Sequence, residues 1–386
     1  MNRILASFLA FFFLISPAFA AESEVDPILI GEINSYTSLT DYSKDHKNGV
    51  DLALEEINAH GGVIGRPLKV ISRDDKGDAG EGVRVAQELL DRDHVVVLLG
   101  TVFDHVKLAV SNLAVREKVP FFCTSGGTDK FIQPPNPYAV RLDTTMSTMM
   151  KIYAQQAAKL PAKSWAIIIP TLEYGTAMAE GFKRELSKLR PDVVFVVEQT
   201  YPFGKLDAGA SVAALAAAKP DAIFSGVLGS DLSRFVRQGR LRELFKDRTV
   251  LAPWMAFQSY IEPLGKEAPV GWIANGMPYY NTGFPAVERF AQRYEAKFGK
   301  KPKDSALVGY MGLKSVAAAI QKADSFDREK IAQAAHGLTF ETPIGPLMYR
   351  AVDGQSNLGI WLGKTGFKDG TPMLVDWTYI EPVAHR

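Results

Sequence analysis

Apolar and polar positions along this chain repeat in a fixed order: a strand-like run, a helical stripe, then another strand. Residues 28–33 read as a strand, after which Val50, Ala53, Leu54 and Ile57 recur at helical spacing. Gly61-Gly62 ends that helix with residues that tolerate a left-handed backbone. Gly65-Arg66-Pro67 then turns the chain into a strand in which Leu68 and Val70 alternate with polar residues. The unit is β-α-β, the building block of an open parallel sheet.

The alternation continues. Residues 95–99 form a continuous apolar strand of the kind buried in parallel sheets. A helix over 105–117 carries Val106, Ala109, Val110 and Leu113 on one face, and strands follow at 119–123 and 139–142. After a connection at 143–145, a second series begins. Strands are predicted at 165–169, 193–197, 222–225 and 250–253, with helices at 175–189, 208–218 and 230–243 between them. Beyond 271–276 come helices near 285–298, 305–322 and 327–336, then a β-rich tail at 345–349, 358–364 and 374–380. The pattern predicts an α/β protein of two doubly wound parallel-sheet lobes with a central cleft.

Ligands of open α/β sheets bind outside the carboxyl ends of the strands. The loops at those ends are Ser35-Tyr36-Thr37 through Tyr42, then 101–105 and 124–128 in the first lobe. The second lobe contributes 170–175, 226–230 with Leu228, and 254–257. Polar loops are ordinary, but Tyr42, Phe103, Tyr174, Trp254 and Phe257 make these unusually aromatic. Thr124-Ser125-Gly126-Gly127-Thr128 is the sharpest candidate: two glycines admit close backbone approach, and three hydroxyls with exposed N–H groups form a nest for a carboxylate.

The chain has 386 residues, 47% of them apolar, enough for two lobes of ordinary domain size. Arg3, the apolar run 4–15 and Ala18-Phe19-Ala20 have the layout of a secretory signal peptide over residues 1–20. The run is shorter than the roughly 17–25 residues of a membrane span. Cys123 is the only cysteine, so an internal disulfide is excluded and a bacterial periplasm fits better than an animal extracellular space. Lys and Arg total 44 against 43 Asp and Glu, and loss of Arg3 with the leader balances them. A neutral protein has no global field to draw nucleic acid or anionic lipid.

The segments 49–65, 119–127, Glu173-Tyr174-Gly175 and the 345–354 tail, in this order and spacing, resemble the branched-chain amino-acid (Leu/Ile/Val) type of periplasmic solute-binding proteins of ABC transporters. The resemblance implies the type I periplasmic binding fold, with three crossovers between the lobes. It places lobe I at 27–143 plus 277–344 and lobe II at 145–276 plus 345–386. It also implies that the loops at 101–104 and 125–127 hold a ligand carboxylate, that Tyr174 packs from lobe II, and that an aromatic near Tyr42 walls the cleft. The implied partners are a small carboxylate or amino acid and the membrane subunits of an ABC permease. A cofactor is not implied, and no bond is made or broken.

Two departures bear on the ligand. Amino-acid-binding members commonly place an acid after the strand matching 250–253, but here the loop reads Pro253-Trp254-Met255-Ala256-Phe257. The first-lobe loop has Phe103-Asp104, and a carboxylate at Asp104 repels a ligand carboxylate set beside it. Either Asp104 takes an ammonium, or the ligand has none; an aromatic or short aliphatic carboxylate suits the second case. The rival function classes are a sensor module of the same fold and a secreted hydrolase. The chain lacks Gly-x-Ser-x-Gly, and Asp104-His105 point in different directions on a helix, so His105 reads as a helix-start residue. Gly80-Glu81-Gly82 lacks the third glycine of a dinucleotide loop, and Asp74, Asp75, Asp78 and Glu81 would repel a pyrophosphate. Those acids lack the Ca²⁺-loop spacing. His46, His60, His94, His336 and His385 are scattered without zinc spacing.

Overall fold

A computed structural model describes residues 26–277 and 284–382; the expected signal peptide and His385 lie outside the described residues. The first series runs β1 (Ile28–Asn34), α1 (Thr40–Ala59), β2 (Leu68–Asp74), α2 (Ala79–Asp91), β3 (Val97–Gly100), α3 (Asp104–Arg116), β4 (Phe121–Cys123) and β5 (Ala139–Arg141). These strands form a five-stranded sheet in the order β2-β1-β3-β4-β5, parallel throughout.

The second series runs α4 (Met146–Ala158), β6 (Ser164–Pro170), α5 (Glu173–Leu189), β7 (Val194–Tyr201), α6 (Ala208–Ala217), β8 (Ala222–Ser225), α7 (Ser230–Leu241), β9 (Thr249–Ala252), α8 (Gln258–Ile261) and β10 (Ile273–Gly276). Its parallel strands stand in the order β7-β6-β8-β9-β10, the same winding as the first sheet. In both sheets the order reverses beside the first strand of the series, so each has a switch point there, where ligands bind. Sequence similarity between the halves is not needed for this; two β-α-β series wound in the right-handed sense give it.

The chain then returns to the first sheet through α9 (Pro285–Phe298), α10 (Asp304–Ala323) and α11 (Arg328–Ala335). Helix α10 lies against α1 at very close range: a Cβ at Gly49 would sit 1.8 Å from the Ala306 carbonyl oxygen, so only glycine fits there. Buried Val106, Val110 and Leu113 of α3 cover the other face of the sheet with Val85 and Leu89 of α2.

The tail corrects one expectation. Residues 345–349 were expected to open lobe II, but β12 (Leu347–Met348) pairs antiparallel with β11 (Thr339–Phe340). Tyr349 then packs edge-on to Phe122 of β4, 6.1 Å between ring centroids, and its hydroxyl donates to Ser315 of α10 at 3.0 Å. The aromatic side chain has an apolar slot on the first body, which holds this segment there. Passage to the second sheet comes only after Gln355, and that sheet is then extended by β13 (Ile360–Lys368), antiparallel to β10, and β14 (Thr371–Ile380), antiparallel to β13. The first and third crossings are stitched together: Thr144 Oγ1 donates to the Leu358 carbonyl at 2.7 Å, and Gln355 Nε2 to the Asp143 carbonyl at 2.6 Å.

Strand β7 also differs from expectation, running to Tyr201 rather than stopping at 197. It is an edge strand, so Glu198 and Thr200 face water within the strand and mimic a polar loop in the sequence.

Candidate functional site

Between the carboxyl ends of the two sheets lies a cavity of about 620 Å³, counted to its open mouth. Every lining residue follows a parallel strand. Leu39 and Tyr42 follow β1; Val102, Phe103 and Asp104 follow β3; Ser125 and Gly126 follow β4; Asp143 follows β5. From the other sheet, Tyr174 follows β6, Phe203 follows β7 and Leu228 follows β8, while Trp254, Phe257 and Tyr260 follow β9. The position is the one that the strand order dictates.

The sequence-selected residues divide here. Tyr42, Phe103, Asp104, Ser125, Gly126, Tyr174, Leu228 and Trp254 line the cavity. Thr124, Gly127 and Thr128 of the 124–128 run are not among the lining residues. Thr128 is turned away because its groups are taken: its N–H donates to Asp104 Oδ1 at 3.3 Å, its hydroxyl to Glu173 Oε1 at 3.4 Å, and its carbonyl accepts Arg141 Nη1 at 2.6 Å. The Gly127 carbonyl accepts the Met146 N–H at 2.6 Å, tying it to the start of α4.

Tyr42 and Ser125 are joined hydroxyl to hydroxyl at 2.5 Å. Burial holds the Tyr42 hydroxyl in its neutral form, with a pKa well above the usual phenol value. One helical turn further along α1, His46 Nε2 meets Thr124 Oγ1 at 3.0 Å, so α1 holds the loop after β4 at two successive residues.

Asp104 does not stand alone as a cleft acid. It is ion-paired to Lys107, one turn along α3, and both side chains are almost fully buried. Lys107 also donates to the Ser125 carbonyl at 3.1 Å. Arg141, wholly buried, donates through Nε to Gln355 Oε1 at 2.8 Å. Lys107 therefore stands behind Ser125 and Arg141 behind Thr128 of the same loop, and neither is among the residues lining the cavity. Gly126 has φ +87°, and a Cβ there would lie 2.3 Å from Lys107 Nζ and 2.5 Å from Asp104 Oδ1. Glycine lets the loop lie directly on the ion pair.

Sequence reasoning looked for an acid after β9 and passed over Asp143, which lies at the first crossing and faces the cavity. Burial pushes its carboxyl up to about 6, against the backbone N–H of Thr144 and the charges of Arg141 and Lys107. Lys107 itself had a signal: Asp104 and Lys107 stand three residues apart on one helix, the spacing of an ion pair.

The opposite wall is aromatic. Trp254 meets Tyr174 edge to face, 5.7 Å between ring centroids. Its backbone lies in the left-handed region, φ +62°, unusual for a bulky side chain. The Trp254 N–H donates to Asn275 Oδ1 at 2.8 Å, and Tyr153 OH donates to the same oxygen at 2.8 Å. A buried amide thus fixes the turn that aims the indole. Across the cleft, Phe103 meets Phe203 edge-on at 6.3 Å and Lys130 pairs with Glu173 at 2.9 Å, so the walls are in contact. Glu173 opens α5, where the helix dipole favours an acid.

His105 is the second residue of α3 and its Nε2 lies 2.8 Å from the Gly77 carbonyl, a loop contact away from any nucleophile. Glu81 pairs with Lys76 and Arg84, and Asp78 caps α2 by accepting the Glu81 N–H at 2.8 Å. Cys123 is buried, and desolvation lifts its thiol to about 11. Among the described residues, no group of three His, Cys, Asp or Glu side chains is placed to hold a metal, and no helix is long and apolar enough to cross a membrane.

Comparison with known proteins agrees with this geometry. Residues 27–371 match the model of a family described as periplasmic binding protein. A Leu/Ile/Val-binding protein homolog of Brucella suis biovar 1 is 26% identical over 310 residues, covering 76% of each chain. The solute-binding protein of an ABC transporter from Rhodopseudomonas palustris BisB5, solved with 3,4-dihydroxybenzoic acid, superposes with a TM-score of 0.83 at 26% identity, over 92% of this chain and 98% of that one. A leucine-binding protein of Thermotoga maritima shares the fold, with a TM-score of 0.80 at 22% identity over 92% and 99% of the two chains. These relatives are solute-binding proteins, not enzymes. With two parallel sheets of the same winding, a cleft at their carboxyl ends and a family match over nearly all its described length, the chain belongs to the periplasmic binding protein family.

Proposed function

We propose that the protein captures a small aromatic carboxylate between its two walls and delivers it to the membrane subunits of an ABC importer. The observation that carries this reading is the pairing of opposite surfaces. Ser125 and Gly126, in a loop held by Lys107 at Ser125 and by Arg141 at Thr128, share one cavity with seven aromatic rings: Tyr42, Phe103, Tyr174, Phe203, Trp254, Phe257 and Tyr260. A carboxylate takes hydrogen bonds from the loop and gains from the buried cations, while the ring fills the aromatic side. Asp104 does not oppose it, because Lys107 neutralises that charge at contact distance. The relative that binds 3,4-dihydroxybenzoic acid supports the same class of ligand.

In this reading residues 1–20 direct export and are removed, and the mature protein works in the periplasm. Ligand contacts with both walls favour the closed arrangement, which the permease recognises. A shift from 1:99 to 99:1 closed requires roughly 5.5 kcal/mol of preference for that state. The lobes of the proposal are 27–143 with the α9–β12 return, and 145–276 with β13 and β14.

One observation favours a second reading, an amino-acid ligand. Asp143 faces the cavity and supplies the acid that the loop after β9 lacks, so an ammonium has a partner. A thermal-shift titration with benzoate, 4-hydroxybenzoate, leucine and phenylalanine separates the two, since binding to the folded state raises its melting temperature. Stabilisation by the benzoates is expected, with a change in Trp254 fluorescence that Trp254→Phe removes. Stabilisation by leucine alone, lost in Asp143→Asn, would transfer the assignment to the amino acid.

A further inference from the structure

Behind the aromatic wall lies a second compartment of about 610 Å³. Tyr42, Asp143, Trp254 and Phe257 line both spaces, so the two are neighbours across those four side chains. All three crossings between the sheets reach it, through Thr144, Met277 and Gly359, and α10 contributes Asp304 and Val308. Benzoate with its carboxylate at Ser125 leaves this space unfilled, and its apolar lining then lacks contact partners on one side.

Among the described polar groups of the compartment are two buried acids and the Trp361 indole N–H, which has no hydrogen-bond partner among the described residues. Asp304 Oδ1 receives the N–H and the hydroxyl of Ser259 at 3.2 and 3.0 Å, and Asp143 Oδ1 receives the Thr144 N–H at 2.8 Å. Asp304 is 3% exposed and lines only the inner space, so a donor that reaches it must come through or past the four shared side chains. Burial lifts its carboxyl to about 6, which leaves it mostly ionised, and an acceptor, at neutral pH and above.

We propose that this inner compartment is a second subsite, and that the preferred ligand is an aromatic carboxylate extended by a short chain ending in a hydroxyl-bearing group that donates to Asp304. The inference rests on the aromatic-carboxylate reading and adds to it the length and the far end of the ligand. A hydroxyl suits the site because it can donate to the Asp304 carboxylate, whose Oδ1 already receives the N–H and hydroxyl of Ser259.

Calorimetry on the mature chain tests it with benzoate, 3-phenylpropionate and 3-(4-hydroxyphenyl)propionate. The hydroxylated long acid is expected to bind at least about tenfold more tightly than benzoate, with 3-phenylpropionate between them. Val308→Phe, which fills the compartment from a half-buried position, should abolish that gain while leaving benzoate within about twofold. Asp304→Asn, near-isosteric, removes the increment due to the hydroxyl and keeps the test standing if Val308→Phe does not fold. Equal affinity for benzoate and the long acids, or equal loss of both in Val308→Phe, would overturn the subsite. Tighter binding of 3-(4-aminomethylphenyl)propionate than of its hydroxyl counterpart would overturn the hydroxyl assignment. Failure of all these acids on the wild type would instead overturn the aromatic-carboxylate reading on which the subsite rests.

Discussion

On the wall that follows β1, β3, β4 and β5, charge is concentrated and almost entirely hidden. Lys107 lies behind Ser125 and Arg141 behind Thr128, Asp104 lines the cavity paired to Lys107, and Asp143, its carboxyl raised by burial, lines it as well. On the wall that follows β6 to β9, the same winding of strands presents Tyr174, Phe203, Leu228, Trp254, Phe257 and Tyr260, without a charged side chain. The backbone plan fixes where a wall stands, and the loop residues decide what it does. In the proposed reading one wall orients a charge and the other covers an apolar body. A ligand with both parts gains from each wall only when the walls meet.

The largest way to break the contrast is to strip the hidden charge. Lys107→Met leaves Asp104 buried without its partner, which is expected to cost about 3–5 kcal/mol of folding stability in urea denaturation. Lys107→Met combined with Asp104→Leu should recover most of that loss, because the unpaired charge is gone. No single truncation on the aromatic wall of the cavity leaves a buried charge behind, so none should show this rescue pattern.

Next in size is the loop itself. Ser125→Ala removes a hydroxyl placed for a charged group and should cost about 1.5–3 kcal/mol of affinity for an aromatic acid, read by calorimetry. Leu228→Ala on the facing wall should change affinity equally for benzoate and for its uncharged amide, since it touches only the apolar body. If Ser125→Ala treats the two ligands alike, the division of labour is wrong.

Asp143 sharpens the contrast through pH. Its carboxyl keeps a proton up to about pH 6 in the folded protein, whereas an unfolded aspartate releases it near 3.9. The folded state binds more protons in that window, so stability falls as pH rises through it. Asp143→Asn should therefore stabilise the ligand-free protein at pH 7.5 by on the order of 1 kcal/mol, with the gain vanishing near pH 4. A gain that is constant from pH 4 to 7.5 would show that Arg141 and Lys107 already compensate this acid.

The smallest effect is expected at the rim. Glu173→Gln breaks the exposed pair with Lys130 that joins the walls, and should weaken ligand binding by less than about fivefold, with the difference shrinking in high salt. A larger loss that persists in salt would make this contact part of the binding machinery.

Much of this was legible before any coordinates. The strand–helix alternation, the loops at the strand ends and the aromatic excess in them are consequences of local pattern, and Tyr42, Phe103, Tyr174 and Trp254 follow from those loops directly. What escaped depends on tertiary partners. Thr128 looks like a nest residue until Asp104, Glu173 and Arg141 are seen to occupy its polar groups. Arg141 sits in a short strand, where a charged residue would pass for solvated, and is buried by its bonds to Thr128 and Gln355. Phe203 was missed because edge strand β7 turns polar residues to water and so reads as ending early. The placement of residues 347–349 needed the slot beside Phe122, which no local pattern encodes.

The central claim is that a buried-cation wall holds a carboxylate while an aromatic wall holds a ring. The most direct measurement is the calorimetric affinity of the wild-type protein for benzoate against benzamide, which share ring and shape and differ in charge. The account predicts that benzoate binds at least about tenfold more tightly and that replacing Ser125 by alanine narrows the gap. Equal binding of the two, or no binding of benzoate where leucine binds tightly, would contradict it.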